Sequence, residues 1–234
     1  MKIYADDNMP LAREFFAELG DVTLFSGRNV QGAELADADI LLVRSVTKVN
    51  AALLDANPNL RFVGTATIGT DHLDLAYLQA RGIVHTNAPG CNAQSVVEYV
   101  LSCLFILAEQ QDKALTDFTV GVVGVGQIGK RLVAALQALG LTVLQNDPLR
   151  AVEADFPHLD LDTLLASADV VSLHVPLVRG GAYPTFHLLD ANRLAALPAT
   201  TALINACRGE VVDNQALINA VVAGKAASRF ASNK

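Results

Sequence analysis

Residues 119–147 constrain the fold more than any other stretch. TVGVVGV (119–125) is an unbroken apolar run rich in β-branched residues. Gly124, Gly126 and Gly129 follow in G-x-G-x-x-G spacing, and a helical pattern runs from Ile128 to Leu139. A second apolar run, TVLQN (142–146), then delivers an acid, Asp147. The spacing alone also occurs in plain strand–helix turns. Its force comes from context: a strand before, a helix after, and a carboxylate at the end of the next strand, about 20 residues past the glycines. The first glycine permits a tight turn, the second lets a pyrophosphate approach the backbone, and the third lets the helix pack on the strand. The N–H groups at the helix start, including those of Gln127 and Ile128, face the phosphates. An acid at position 147 can take both ribose hydroxyls of NAD, whereas an NADP site favours a cation beside a neutral residue. Arg150 stands close to Asp147, so the reading favours NAD without excluding NADP.

The same strand–helix alternation extends over the chain. KIYA (2–5), VTLF (22–25), DILLV (39–43), RFVGT (61–65) and IVHT (83–86) read as strands. Helices are expected over 10–20, 49–56 and 72–82. A break at NAPGCN (87–92) precedes a long apolar helix around VVEYVLSCLFILA (96–108). Beyond the glycine loop come helices near 161–167 and 191–197, strands at DVVSLHV (169–175) and TALINA (201–206), and a helix capped by Asp213 and running to Ala223. Continuous apolar strands alternating with helices imply parallel sheets covered on both faces. The fold class is therefore α/β, with two doubly wound parallel-sheet domains, the second a Rossmann-type NAD domain. The boundaries expected are 1–89 for a flavodoxin-like substrate-binding domain and 90–234 for the NAD-binding domain.

A net charge of −7 over 234 residues argues against a general nucleic-acid surface. Three cysteines, an odd number without metal-ligand spacing, read as reduced thiols in a cytoplasmic protein, and no metal site is expected. The 96–108 segment contains Glu98 and is too short to span a bilayer, so no membrane partner is expected.

In open α/β sheets, ligands sit outside the carboxyl ends of the strands. LHVPL (173–177) ends one strand, which puts Val175 and Pro176 beside the cofactor. His174 reads as a core histidine satisfied by a hydrogen bond. Ala206, Cys207 and Arg208 end another strand of the same sheet. A guanidinium there can grip a carboxylate or keto oxygen with two prongs. Pairing with Glu210, or snorkelling to solvent, is the competing reading. Cys207 has no evident histidine partner and is taken as adjacent to the cofactor through its backbone.

PGCNAQSVVEYV, GVVGVGQIG, the acid at 147, LHVPL and LINACRGEVVDNQAL together resemble the D-isomer-specific 2-hydroxyacid dehydrogenases, over nearly the whole chain. YADDNMP, ADILLVRSVTKVN, FVGTATIGTDHLD and NAPGCNA are similar to one branch of that family, which serves pyridoxal phosphate biosynthesis. The resemblance implies an oxidoreductase that moves a hydride from a small phosphorylated 2-hydroxy acid to NAD. It makes Arg208 catalytic and Ser45 and Thr67 substrate contacts. Arg44 and Lys48 either supply charge for the phosphate or stand as solvated cations. A homodimer is the family's expected state. Another member such as phosphoglycerate dehydrogenase is the nearest competing identity.

The family places a glutamate and then a histidine base after residue 225, on and beyond a further apolar strand. Here the chain reads GKAASRFASNK (224–234). AAS fits the start of that strand and RFASNK does not. The expectations are a C-terminally shortened NAD domain, no family dimerisation domain, an apolar edge at 201–206 and little or no turnover. The competing functional class is an inactive remnant or a non-catalytic NAD-binding module related to the dehydrogenase-like corepressors.

Overall fold

The computed structural model describes residues 1–223 and 230–232, which form two compact units, Met1–Asn92 and Ala93–Lys234. In the first unit the strands are β1 (Lys2–Asp6), β2 (Asp21–Phe25), β3 (Ile40–Val43), β4 (Phe62–Thr65) and β5 (Val84–Thr86). They pair in parallel in the order β2-β1-β3-β4-β5. Both faces are covered, because neighbouring strand residues point opposite ways. Leu41 and Val43 pack with Val63, Leu54 and Leu78 on one face, while Leu42 packs with Ile3, Ala5 and Ala12 on the other.

The helices of this unit are short: α1 (Ala12–Phe16), α2 (Ala51–Leu54) and α3 (Leu75–Ala80). The helix expected over 10–20 shrinks to five residues. Leu11 ahead of it adopts a left-handed conformation with φ 58° and makes no side-chain cap. Asn50 and Asp74 do cap, accepting from Leu53 N at 3.2 Å and Tyr77 N at 3.0 Å.

The second unit opens with the long helix α4 (Ala93–Gln111). Its strands are β6 (Thr119–Val123), β7 (Thr142–Asn146), β8 (Val170–Leu173), β9 (Ala202–Asn205) and β10 (Phe230–Ser232), parallel in the order β10-β9-β8-β6-β7. Val120, Val122, Val170, Ala202 and Ile204 form one core with α4 and with α5 (Gly129–Ala138). Val123, Val171, Leu173 and Leu203 form the other with α6 (Leu161–Ser167), α7 (Ala191–Ala196) and α8 (Asn214–Val222). Asp160, Asp190 and Asp213 cap these last three helices.

The open edge expected at 201–206 does not exist. β10 flanks β9, with Phe230 opposite Leu203, Ala231 opposite Ile204 and Ser232 opposite Asn205. Parallel pairing uses backbone groups, so Phe230–Ser232 form a strand although their sequence departs from the family pattern. Ala231 packs against the core that α4 and α5 share. The AAS stretch (226–228) lies outside the described residues.

The two units share an arrangement that fixes their central strands. Asp39 precedes β3, accepts from Lys2 N at 2.8 Å and donates its own N–H to Lys2 O at 2.9 Å. Asp169 precedes β8, accepts from Thr119 N at 2.8 Å and donates to Thr119 O at 2.9 Å. Each aspartate locks the register of the strand pair at which the sheet order reverses. The carboxyl ends of that pair form the crevice where doubly wound sheets bind ligands.

Candidate functional site

In the second unit this crevice lies between β6 and β8, and the glycine loop fills it. Gly124 has φ 88°, and a Cβ there would lie 2.7 Å from the carbonyl oxygen of His174. A Cβ on Gly129 would lie 2.1 Å from the carbonyl oxygen of Gly124. Both positions therefore demand glycine for the loop's own packing. Gly126 differs: a Cβ there would meet nothing within 4 Å. No contact inside the protein requires that glycine, and the open space beside it is where a pyrophosphate would approach. Among the described residues, the N–H groups of Gly126, Gln127 and Ile128 make no hydrogen bond. Three unsatisfied donors at the start of a ten-residue helix have the arrangement that the oxygens of an anion would satisfy.

Asp147 stands where β7 ends. Its Oδ2 accepts from Val125 N at 2.9 Å and its Oδ1 from Leu149 N at 3.2 Å. The carboxylate thus ties the glycine loop to β7 while staying half-exposed, with lone pairs left for ribose hydroxyls. His158 accepts from Asp147 N at 3.3 Å, and a parallel bridge from Gln145 to His158 adds a rudimentary outer strand.

Past β8, Val175 lies against Gly124 in the same crevice, and Pro176 follows it in the chain. Thr185 shapes this loop, donating to Pro176 O at 2.5 Å and accepting from Val178 N at 2.8 Å. His174 fits its core reading only in part. Its Nε2 lies 2.8 Å from Ser172 Oγ, but its Nδ1 is buried with no hydrogen-bond partner among the described residues. Burial pulls the imidazole pKa down from 6.5 to about 4. It is neutral at physiological pH and too weak a base for proton abstraction there.

After β9, Ala206 is buried, and Cys207 and Arg208 are half-buried. Asn205 organises this turn: its Nδ2 donates to Arg208 O at 2.9 Å, and its Oδ1 accepts from Cys207 N at 3.1 Å. Arg208 has extended backbone, with φ −126° and ψ 137°, immediately before a single 3₁₀ turn. Glu210, the competing partner for Arg208, instead pairs with Arg179 at 2.5 Å. Sequence reading passed over Asn205 and Thr185. Their signal is a polar residue closing an apolar strand and a threonine between two loop segments, but apart from the Cys207 Sγ that donates to Asn205 Oδ1 their partners are backbone atoms.

Residues 107–230 match the model of the D-isomer specific 2-hydroxyacid dehydrogenase NAD binding domain. The chain belongs to this family. It is 53% identical over 225 residues to erythronate-4-phosphate dehydrogenase of Pseudoalteromonas atlantica, covering 96% of this chain and 60% of that protein. The identity to the enzyme of the same name from Pseudomonas paraeruginosa is 56% over 218 residues, covering 93% and 57%. The chain thus spans about 60% of the length of the curated relatives it matches. Among solved structures, D-lactate dehydrogenase from Aquifex aeolicus, complexed with NAD and lactic acid, superposes with a TM-score of 0.84 at 27% identity. That match covers 99% of this chain and 76% of the other. The second unit is accordingly an NAD-binding domain of dehydrogenase type.

In the first unit the corresponding crevice lies at the carboxyl ends of β1 and β3; Arg44, Ser45 and Lys48 follow β3, and Thr67 follows β4. Ser45 is exposed, and its hydroxyl has no partner among the described residues. Arg44 is half-buried and Lys48 exposed. Thr67 is less free than its sequence context suggested. Its hydroxyl donates to Gly69 O at 2.9 Å and sits 2.8 Å from Thr65 Oγ1, which in turn lies 2.9 Å from His72 Nε2. Thr67 therefore offers an incoming ligand lone pairs, and gives up its turn bond if it donates. Asp6, at the end of β1, is wholly buried. A Cβ on Gly27 would lie 2.0 Å from Asp6 Oδ2 and 2.6 Å from Thr47 Oγ1, so Gly27 is the glycine that lets β2 turn over this crevice.

Among the described residues no helix is long and apolar enough to cross a membrane, and Cys91, Cys103 and Cys207 form no disulfide.

Proposed function

We propose that this chain carries the substrate-binding and NAD-binding parts of a dehydrogenase that oxidises 4-phospho-D-erythronate to its 2-oxo acid, in pyridoxal phosphate biosynthesis. The observation that supports the cofactor is the nest of free N–H groups at Gly126, Gln127 and Ile128, with the Asp147 carboxylate at the end of the next strand. The substrate rests on the likeness of over 50% to erythronate-4-phosphate dehydrogenases.

NAD, when bound, accepts a hydride. The nest residues with Gly124 and Gly129 hold its pyrophosphate, Asp147 its ribose, and Val175, Ala206 and Cys207 line its path along the strand ends. Arg208 grips the substrate carboxylate and the developing keto oxygen through its guanidinium fork. In the substrate-binding domain, taken as residues 1–89, Ser45 donates to the substrate and Thr67 completes its contacts. Arg44 and Lys48 offset the phosphate charge. Cysteines that form no disulfide among the described residues are in keeping with a cytoplasmic location.

The test is a fluorescence titration of the 234-residue chain with NADH and NADPH, followed by 4-phospho-D-erythronate on the NADH complex. Tighter NADH binding, and a further spectral change with substrate that Arg208→Ala removes, are the expected results. Preference for NADPH would refute the cofactor reading. A substrate response that survives in Arg208→Ala would refute the role given to that arginine.

A further inference from the structure

A cation three residues past the ribose acid is committed elsewhere. Arg150 sits on the turn that Asp147 opens, its own N–H donating to Asp147 O at 3.0 Å. Each of the three guanidinium nitrogens is engaged. Nε donates to Glu153 Oε1 and Oε2 at 2.9 and 3.0 Å, Nη2 to Glu153 Oε2 at 2.6 Å, and Nη1 to Val125 O at 3.1 Å. The guanidinium also lies over the Phe156 ring, 4.4 Å from its centroid. Val125 is thereby held at both ends, its carbonyl by Arg150 and its N–H by Asp147. A cavity of about 360 Å³ opens beside this cluster, lined by Val125, Lys130, Arg150, Glu153 and Phe156 among others.

An NADP site needs a cation for the 2′-phosphate. This chain has one within a residue's reach of the ribose acid, yet its charge and its fork are taken up by Glu153. The pair is partly exposed and contributes little to stability, so stability alone does not account for so complete an engagement. We propose that Glu153 is a cofactor-selectivity residue: by clamping Arg150 it denies the 2′-phosphate of NADP a counter-ion. The inference rests on the NAD-binding reading of this loop and adds a second determinant to Asp147. Asp147 repels the 2′-phosphate, and Glu153 silences a cation poised to attract it.

The test measures dissociation constants for NADH and NADPH by fluorescence on the 234-residue chain and four variants: Glu153→Ala, Glu153→Gln, Asp155→Asn, and Glu153→Ala with Arg150→Ala. Circular dichroism checks that each is folded. Glu153→Ala should shift the ratio of the two constants toward NADPH by about tenfold, the lower end of what a hydrogen bond to a charged group contributes. Glu153→Gln, which keeps an acceptor but no charge, should shift it less. Asp155→Asn removes one negative charge from the same segment without freeing Arg150, and should change the ratio by less than about twofold at ordinary salt. Adding Arg150→Ala should cancel the gain. A Glu153→Ala shift no larger than that of Asp155→Asn, or one that survives loss of Arg150, would overturn the clamp while leaving the NAD reading intact. Failure of the unmodified chain to bind NADH would refute that reading, and the clamp with it.

Discussion

His174 should make the second unit acid-sensitive in a window set by its burial. In the unfolded chain the imidazole titrates near 6.5, and in the folded unit near 4. Between those values the unfolded state binds a proton that the folded state refuses. Stability therefore falls as pH drops from 6.5 toward 4, and this contribution is complete above 6.5. Integrating between pH 7 and pH 5 gives a loss of about 2 kcal/mol from this one group. His174→Gln keeps an amide able to reach Ser172 Oγ and cannot titrate. Urea unfolding followed by circular dichroism at pH 7, 6 and 5 separates His174 from the other titrating groups, because only the difference between the two proteins is used. The stability of the unmodified chain relative to the variant should fall by about 2 kcal/mol over that range. Parallel pH profiles, or an NMR midpoint for His174 near 6.5, would show that the imidazole is solvated and that the reasoning from burial is wrong.

Three further outcomes follow from the geometry. Gly129→Ala should unfold or distort the glycine loop, since its Cβ meets the Gly124 carbonyl at 2.1 Å, whereas Gly126→Ala should leave the fold intact and weaken NADH binding; thermal melts and NADH titration of both variants distinguish the two roles. Asn57 is fully buried, donating to Leu35 O and Ala38 O and accepting from the N–H groups of Asn59 and Leu60. Asn57→Ala strands those four backbone groups and should cost the first unit about 2–4 kcal/mol in urea unfolding. Arg208→Lys should leave NADH affinity unchanged but weaken 4-phospho-D-erythronate binding nearly as much as Arg208→Ala, because a point charge cannot reproduce the fork; calorimetric titration that finds the lysine variant unimpaired would remove the two-pronged grip.

The glycine loop was legible in the sequence because two of its glycines answer local steric demands. Gly124 must take φ 88° and Gly129 must lie against Gly124, and both demands follow from a strand turning directly into a helix. Strand positions were legible for a similar reason, since burial on both faces leaves unbroken apolar runs. Helix lengths in the first unit were less so. The pattern over 10–20 is helical in composition, but the left-handed Leu11 starts the helix late and the regular part ends at Phe16. β10 is hidden in the sequence because backbone pairing asks little of side chains, so residues that depart from the family's pattern still pair as a strand.

The site's supporting groups were illegible for a different reason, and it bears on how the selectivity is built. Asp169 finds Thr119 fifty residues away in sequence, and Arg150 finds Val125 twenty-five away. No local pattern announces such pairings, because the fold creates them. Yet both act on the same small object. Asp169 fixes the register of β6 against β8, which places Gly124 against His174 and Val175. Asp147 and Arg150 then fix the peptide groups of Val125, one residue further along. The loop that would receive a pyrophosphate is thus held in place before any ligand arrives, and the entropy of ordering it falls on folding instead of on binding. On this reasoning, loosening Arg150 changes two things at once: the charge available to a 2′-phosphate and the rigidity of the nest. The two separate in the titrations, because loss of rigidity weakens NADH and NADPH alike, while a freed cation changes only their ratio.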